Sequence, residues 1–222
     1  MSLRTNTLTT KREVASAFAA TGSARALAVM IPIAAVIRLV AGDWAIADLA
    51  VAIGIVTVIG PVEWIIHLVL LHASPDAWTT RVLGTSTGHR QHHIDPPAID
   101  FLLLRRIDAL VFGGLLGALA AIGSIPFALV FGGSMVATAL TAVVVALVAL
   151  AHYEWTHLLV HTAYRPRSRY YARLARNHRR HHYRNERYWL GVTSNLGDRI
   201  MRTLPKSDES VPRSETARTL GG

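Results

Sequence analysis

Four apolar stretches restrict what this chain can fold into more than any other feature: roughly residues 26–41, 44–71, 109–131 and 135–160. A helix needs about 20 apolar residues to cross the hydrocarbon core of a bilayer, where every backbone polar group must be satisfied within its own segment. The pattern predicts an all-α integral membrane protein with four spans, the first of them short. Pro32 and Arg38 interrupt the first, Asp48 and Glu63 the second, and GSIP at 123–126 breaks the third. The first stretch follows more than twenty mostly polar residues, and Arg38 and Asp43 stand where a small-residue cleavage site would fall. It reads as a retained anchor, not a removed signal.

Charge is segregated from these stretches. The formal net charge is +9, although 51% of the residues are hydrophobic. Of the 23 Lys and Arg, four lie in 1–25, four in 81–106 and fourteen in 165–218, leaving Arg38. Short connections rich in Lys and Arg stay on the cytoplasmic side. Both termini and the 73–106 connection are therefore expected in the cytoplasm of a multi-pass inner (plasma) membrane protein. The chain has no Cys, which removes disulfides, thiolate zinc sites and Cys-ligated haem or iron–sulfur clusters. Residues 1–25 read as a cytoplasmic segment and 26–205 as the membrane domain. The polar stretch 206–222 (KSDESVPRSETARTLGG) reads as disordered.

The eleven histidines are not spread over the aqueous segments as a merely cationic surface would have them. They are His67, His72, His89, His92, His93, His152, His157, His161, His178, His181 and His182. Two clusters lie near the ends of the second and fourth spans, and two lie in the basic segments that follow. HRQHH at 89–93 and HRRHH at 178–182 repeat one pattern at a separation of 89 residues, and His72 and His161 share that separation. Glu63-Trp64 and Glu154-Trp155 precede the pairs, with the register slipping by two residues. Duplication explains the echo; so do two halves contributing alike to one metal centre.

At 100° per residue, positions i and i+4 share a helix face, which groups His157 with His161 and gathers each H-x-x-H-H triplet. His67 and His72, at i and i+5, would stand about 140° apart on an ideal helix. For both to serve one centre the helix must end, tighten or carry a π-bulge there. His152 points away from His161 and is expected to be the odd one out. Imidazole suits Zn, Cu, Fe and Ni, and ten such groups would furnish two ions of four to six ligands each. Glu63 and Glu154 sit one turn before a histidine at membrane depth, where an unpaired carboxylate is costly. Each is expected to accept the outer ring N–H of a ligand, with direct ligation as the alternative.

His67-LVLL-His72, His89-RQ-His92-His93, His157-LLV-His161 and His178-RR-His181-His182 resemble the histidine boxes of the fatty acid hydroxylase/sterol desaturase superfamily. YEWTHLLVHTAYRPRSRYY and NHRRHHYRNERYWLGVTSNLGDRIMRTLP look like its third and fourth boxes and C-terminal signature in bacterial members. The resemblance covers about residues 60–205. It implies four spans with a cytoplasmic helical cap, and binding of two metal ions by His67, His72, His89, His92, His93, His157, His161, His178, His181 and His182. Iron is the implied working metal, with O2 as co-substrate and zinc able to occupy such sites in preparations. Asn185, Glu186, Gly191 and Asp198 match the signature and carry only supporting roles.

A centre of that kind would oxidise an unactivated C–H bond of a fatty acyl or sterol-like lipid by hydroxylation or desaturation. The 66 residues before His67 leave no room for a haem module, so a separate cytochrome b5-, ferredoxin- or reductase-like donor is implied. The basic face from Arg165 to Arg187 could dock an acidic one, or anionic headgroups. Carotenoid hydroxylases are the nearest alternative, but their first two boxes sit closer together than His72 and His89. A non-enzymatic metal transporter would want polar groups through all spans. Nucleic-acid binding has no module behind it.

Overall fold

The computed structural model describes residues 3–221. It is helical throughout, with no β-strand among the described residues. In chain order the α-helices are α1 (Lys11–Ala20), α2 (Gly22–Ala41), α3 (Ile46–Ile65), α4 (Trp78–Leu83), α5 (Thr85–Ile94) and α6 (Arg106–Gly123). After them come α7 (Ile125–Phe131), α8 (Met135–Val160), α9 (Arg169–Tyr183) and α10 (Leu196–Ile200). A π-helix, Ile66–Leu71, continues directly from α3. Four segments are long and apolar enough to cross a membrane: Gly22–Ala41, Ile46–Leu71, Ile99–Phe131 and Met135–Val160. The chain is a membrane protein.

The first span is not short. Thr21 caps α2 by accepting the Ala24 N–H at 3.3 Å, so the helix starts four residues before the apolar run and reaches 20 residues. GSIP does interrupt the third span: α6 stops at Gly123 and α7 restarts at Ile125, with Pro126 in its first turn, where no donor is lost.

The residues fall into two compact units. One comprises 18–59 and 104–154; the other comprises the described residues up to Ala17, 60–103 and 155–221. In the apolar unit Leu27, Leu147 and Leu150 form the core, packed by Met30, Phe112 and Leu116. Gly113 lets α6 approach closely, since a Cβ there would meet the Met30 methyl at 3.1 Å and Leu147 at 3.3 Å. The charges that interrupt the first two spans neutralise each other. Arg38 donates to Asp48 at 2.9 Å, to Thr141 Oγ1 at 2.5 Å and to the Gly42 carbonyl at 2.5 Å, and lies 3.6 Å over the Trp44 ring. Both are buried, and removing either partner would leave an uncompensated charge.

The second unit holds every histidine except His152. Its residues 206–221, expected to be disordered, are bonded to the rest of the unit. Val211 is 1% exposed and Ala217 3%, and the segment's carbonyls receive donors from Arg90, Arg184 and Asn185. Sequence composition counts side chains, whereas this segment is held largely through its main chain.

Candidate metal centre

Five elements bring the histidines together: the π-helix, α5, the end of α8, α9 and the loop after it. The π-helix resolves the awkward spacing of His67 and His72. The His72 N–H bonds the His67 carbonyl at 3.0 Å, an i→i+5 bond, and the ring centroids lie 4.7 Å apart. One extra residue in the turn has swung His72 back to its partner.

The rings sort into two groups whose ligand-capable nitrogens lie within 4.8 Å of one another. One is His67, His72, His89, His93 and His181; the other is His92, His161, His178 and His182. His157 packs against the second, its centroid 5.0 Å from His92, 5.0 Å from His178 and 5.2 Å from His161. All ten box histidines are therefore brought together, and His152 joins neither group.

Helix geometry dictates the sorting. In each H-x-x-H-H helix the first and last rings, about 40° apart, join one group; the middle ring, about 100° from the last, joins the other. So α5 gives His89 and His93 to the first group and His92 to the second, while α9 gives His178 and His182 to the second and His181 to the first. The 89-residue echo maps one set on the other, with the middle histidines exchanged.

The residues fit metal ions. Burial pushes the His93 imidazole down to about 4 and that of His161 down to about 3. Burial, reinforced by neighbouring imidazoles, holds His89, His92, His178, His181 and His182 well below the ordinary value. Neutral rings keep lone pairs that a metal ion could receive. Nε2 of His72, His92, His93 and His181 is buried with no hydrogen-bond partner, a costly arrangement unless a cation receives the lone pair. Nε2 atoms approach at 3.1 Å (His67–His89), 2.7 Å (His161–His178) and 3.1 Å (His178–His182). Two nitrogens held about 2.0–2.1 Å from one ion at a right angle stand about 3 Å apart. An all-imidazole donor set matches iron, zinc, copper or nickel better than magnesium or calcium.

Main-chain carbonyls fix several rings from outside. His67 Nδ1 lies 2.6 Å from the Leu190 carbonyl, His93 Nδ1 2.8 Å from that of Ala217 and His181 Nδ1 2.9 Å from that of Tyr188. Donation there leaves Nε2 as the ligand atom. No side-chain signal announces these contacts, because any residue supplies a carbonyl.

The two carboxylates do not take the ring protons. Glu63 accepts from the backbone N–H of Val192, from that of Thr193 at 2.8 Å and from the Thr193 hydroxyl at 2.5 Å. Glu154 accepts the Leu104 N–H at 3.0 Å. Glu63 thus anchors the loop that carries the Leu190 carbonyl, one step further from the rings than expected. Asp198 grips the same loop, accepting the Leu190 and Gly191 N–H groups at 2.9 Å each. A side chain at Gly191 would drive into the Ser194 carbonyl, 1.9 Å from its Cβ. Asn185 turns away from the rings, donating to the Pro212 carbonyl at 3.1 Å, and Glu186 accepts from Thr216 Oγ1 at 2.7 Å.

A cavity of about 430 Å³ borders His161, His178 and His182 and is also lined by Arg179, Tyr183 and Asn6. Compared with known proteins, residues 51–203 match the model of the fatty acid hydroxylase family. Among curated proteins and among solved structures nothing matches the chain.

Proposed function

The chain belongs to the fatty acid hydroxylase family, and from that premise we propose that it hydroxylates or desaturates a fatty acyl or sterol-like lipid with two histidine-held iron ions. Membership implies an oxidoreductase and supports lipid C–H bonds as what it acts on. The observation that carries the finer reading is the pair of buried, neutral imidazole groups related by the 89-residue echo. His67, His72, His89, His93 and His181 would hold one ion; His92, His161, His178 and His182, with His157 beside them, would hold the other.

Such ions would supply activation of O2: with two electrons and two protons, hydroxylation would leave one oxygen in the substrate and release the other as water, and desaturation would release both as water. This chain's own contribution is placement. Carbonyls of Leu190, Tyr188 and Ala217 set ring tautomers, and Glu63 and Asp198 hold the loop bearing Leu190. Burial keeps the ligands neutral and water away from them. The electrons come from a separate acidic donor protein, a reading supported by the exposed Arg173, Arg176 and Arg179 on one side of α9. The positive-inside pattern supports a cytoplasmic position for this face and both termini.

The test compares the lipids of a host producing the chain with those of one producing His161→Ala. A hydroxylated or desaturated lipid should accompany only the unchanged chain, which should carry two irons after anaerobic purification. Identical lipid profiles from a chain loaded with two irons would sink the reading.

A further inference from the structure

Residues 206–221 lie beyond the family match at 51–203, yet they reach the histidines. The Ala217 carbonyl receives His93 Nδ1 at 2.8 Å. Next to it, Arg218 donates to the His93 carbonyl at 2.9 Å and to the Ile94 carbonyl at 2.5 Å, filling acceptors that the end of α5 leaves open. Its guanidinium stands 5.0 Å over Tyr183 of α9. From α5, Arg90 returns the contact, donating to the Thr219 and Leu220 carbonyls at 2.8 Å each.

The other end of the segment grips α9. Arg184 and Asn185 donate to the Val211 and Pro212 carbonyls at 2.9 and 3.1 Å, the Ser214 N–H bonds the Arg184 carbonyl at 2.8 Å, and Arg180 pairs with Asp208 at 2.8 Å. Residues 208–220 therefore tie together the ends of the two helices that bear the H-x-x-H-H triplets. Of the ten box rings, the segment bonds His93, a member of the five-histidine group.

We propose that this segment is a positioning strap for the five-histidine metal site. It fixes the His93 tautomer through Ala217 and the end of α5 through Arg218, and so sets the affinity of that site and not of the other. The inference rests on the metal-centre reading above. Losing an outer hydrogen-bond partner of a ligand costs about 10–100-fold in metal affinity.

Cobalt(II) titration of the metal-free chain in detergent, followed by visible absorption, separates the two ideas. The full chain should bind in two phases, with His72→Ala removing one and His161→Ala the other. Deleting 206–222 should weaken the His72-sensitive phase by about 10–100-fold and leave the His161-sensitive phase unchanged. Arg218→Ala should act in the same direction, Arg218→Lys should recover part of the loss, and this pair decides if the deleted chain does not fold. Phases that stay unchanged, weaken together, or weaken only at the His161-sensitive site would overturn the strap. A full chain that takes up no cobalt would overturn the metal-centre reading and the strap with it.

Discussion

The five-histidine and four-histidine groups are built from matching sequence but are supported differently. Three rings of the first, those of His67, His93 and His181, have Nδ1 at 2.6–2.9 Å from a main-chain carbonyl. In the second, His92 has both nitrogens, and His178 and His182 have Nδ1, buried without a hydrogen-bond partner among the described residues. The second group also borders the cavity of about 430 Å³. Equal imidazole chemistry thus sits on two different supports, one set oriented by main-chain carbonyls and one left largely without them. Repetition in sequence copies ligands but only part of their support: His157, the counterpart of His67, bonds the Leu102 main chain, whereas no such carbonyl stands behind His178 or His182 as Ala217 stands behind His93.

The heaviest blow to this contrast falls on Glu63. Glu63→Ala strands two buried backbone N–H groups and the Thr193 hydroxyl, a loss of about 3–5 kcal/mol. Glu154→Ala strands the Leu104 N–H and takes a partner from the buried Ser23 hydroxyl, at about 1–3 kcal/mol. Thermal unfolding in detergent should rank them in that order, and metal analysis should show Glu63→Ala losing the ion of the five-histidine group while Glu154→Ala keeps both. Equal effects would mean that the loop at 190–193 is not what prearranges the first group.

Next in size is the order of filling. The prearranged group should take up metal first, about 10–100-fold more tightly. Substoichiometric loading of the His72→Ala and His161→Ala chains measures this directly; tighter binding in His72→Ala, which retains the four-histidine group, would reverse the contrast. The smallest expectation concerns the histidine outside both groups. His152→Ala should keep two ions and most of its activity, and a loss matching that of His161→Ala would mean that His152 supports the four-histidine group after all.

Much of this architecture can be read from residue order. The four spans, the break at GSIP and the ten rings follow from apolar length and helical spacing. The i, i+5 separation of His67 and His72 demands a non-α turn, and the chain makes a π-helix there. The carbonyl supports cannot be read in the same way, since Leu190, Tyr188 and Ala217 contribute atoms common to every residue. Two arginines between the paired histidines show a related limit. Arg90 bonds the carbonyls of Ala73, Thr219 and Leu220, and Arg180 pairs with Asp208. Such partners lie 17 to 130 residues away, beyond any local pattern.

The exchange of His92 and His181 has a consequence for the history of the chain. Each repeat lends its middle histidine to the centre completed by the other, so residue i serves j's site while j serves i's. That reciprocity is the signature of an isologous dimer. A single repeat is deficient at its own centre and carries a spare ligand for a neighbour's. On the duplication reading, a one-repeat ancestor would have completed its centres only as a pair, and fusion into one chain would have made that pairing permanent and independent of concentration. The two repeats would then have been free to acquire different supports, while neither could lose its middle histidine without disabling the other.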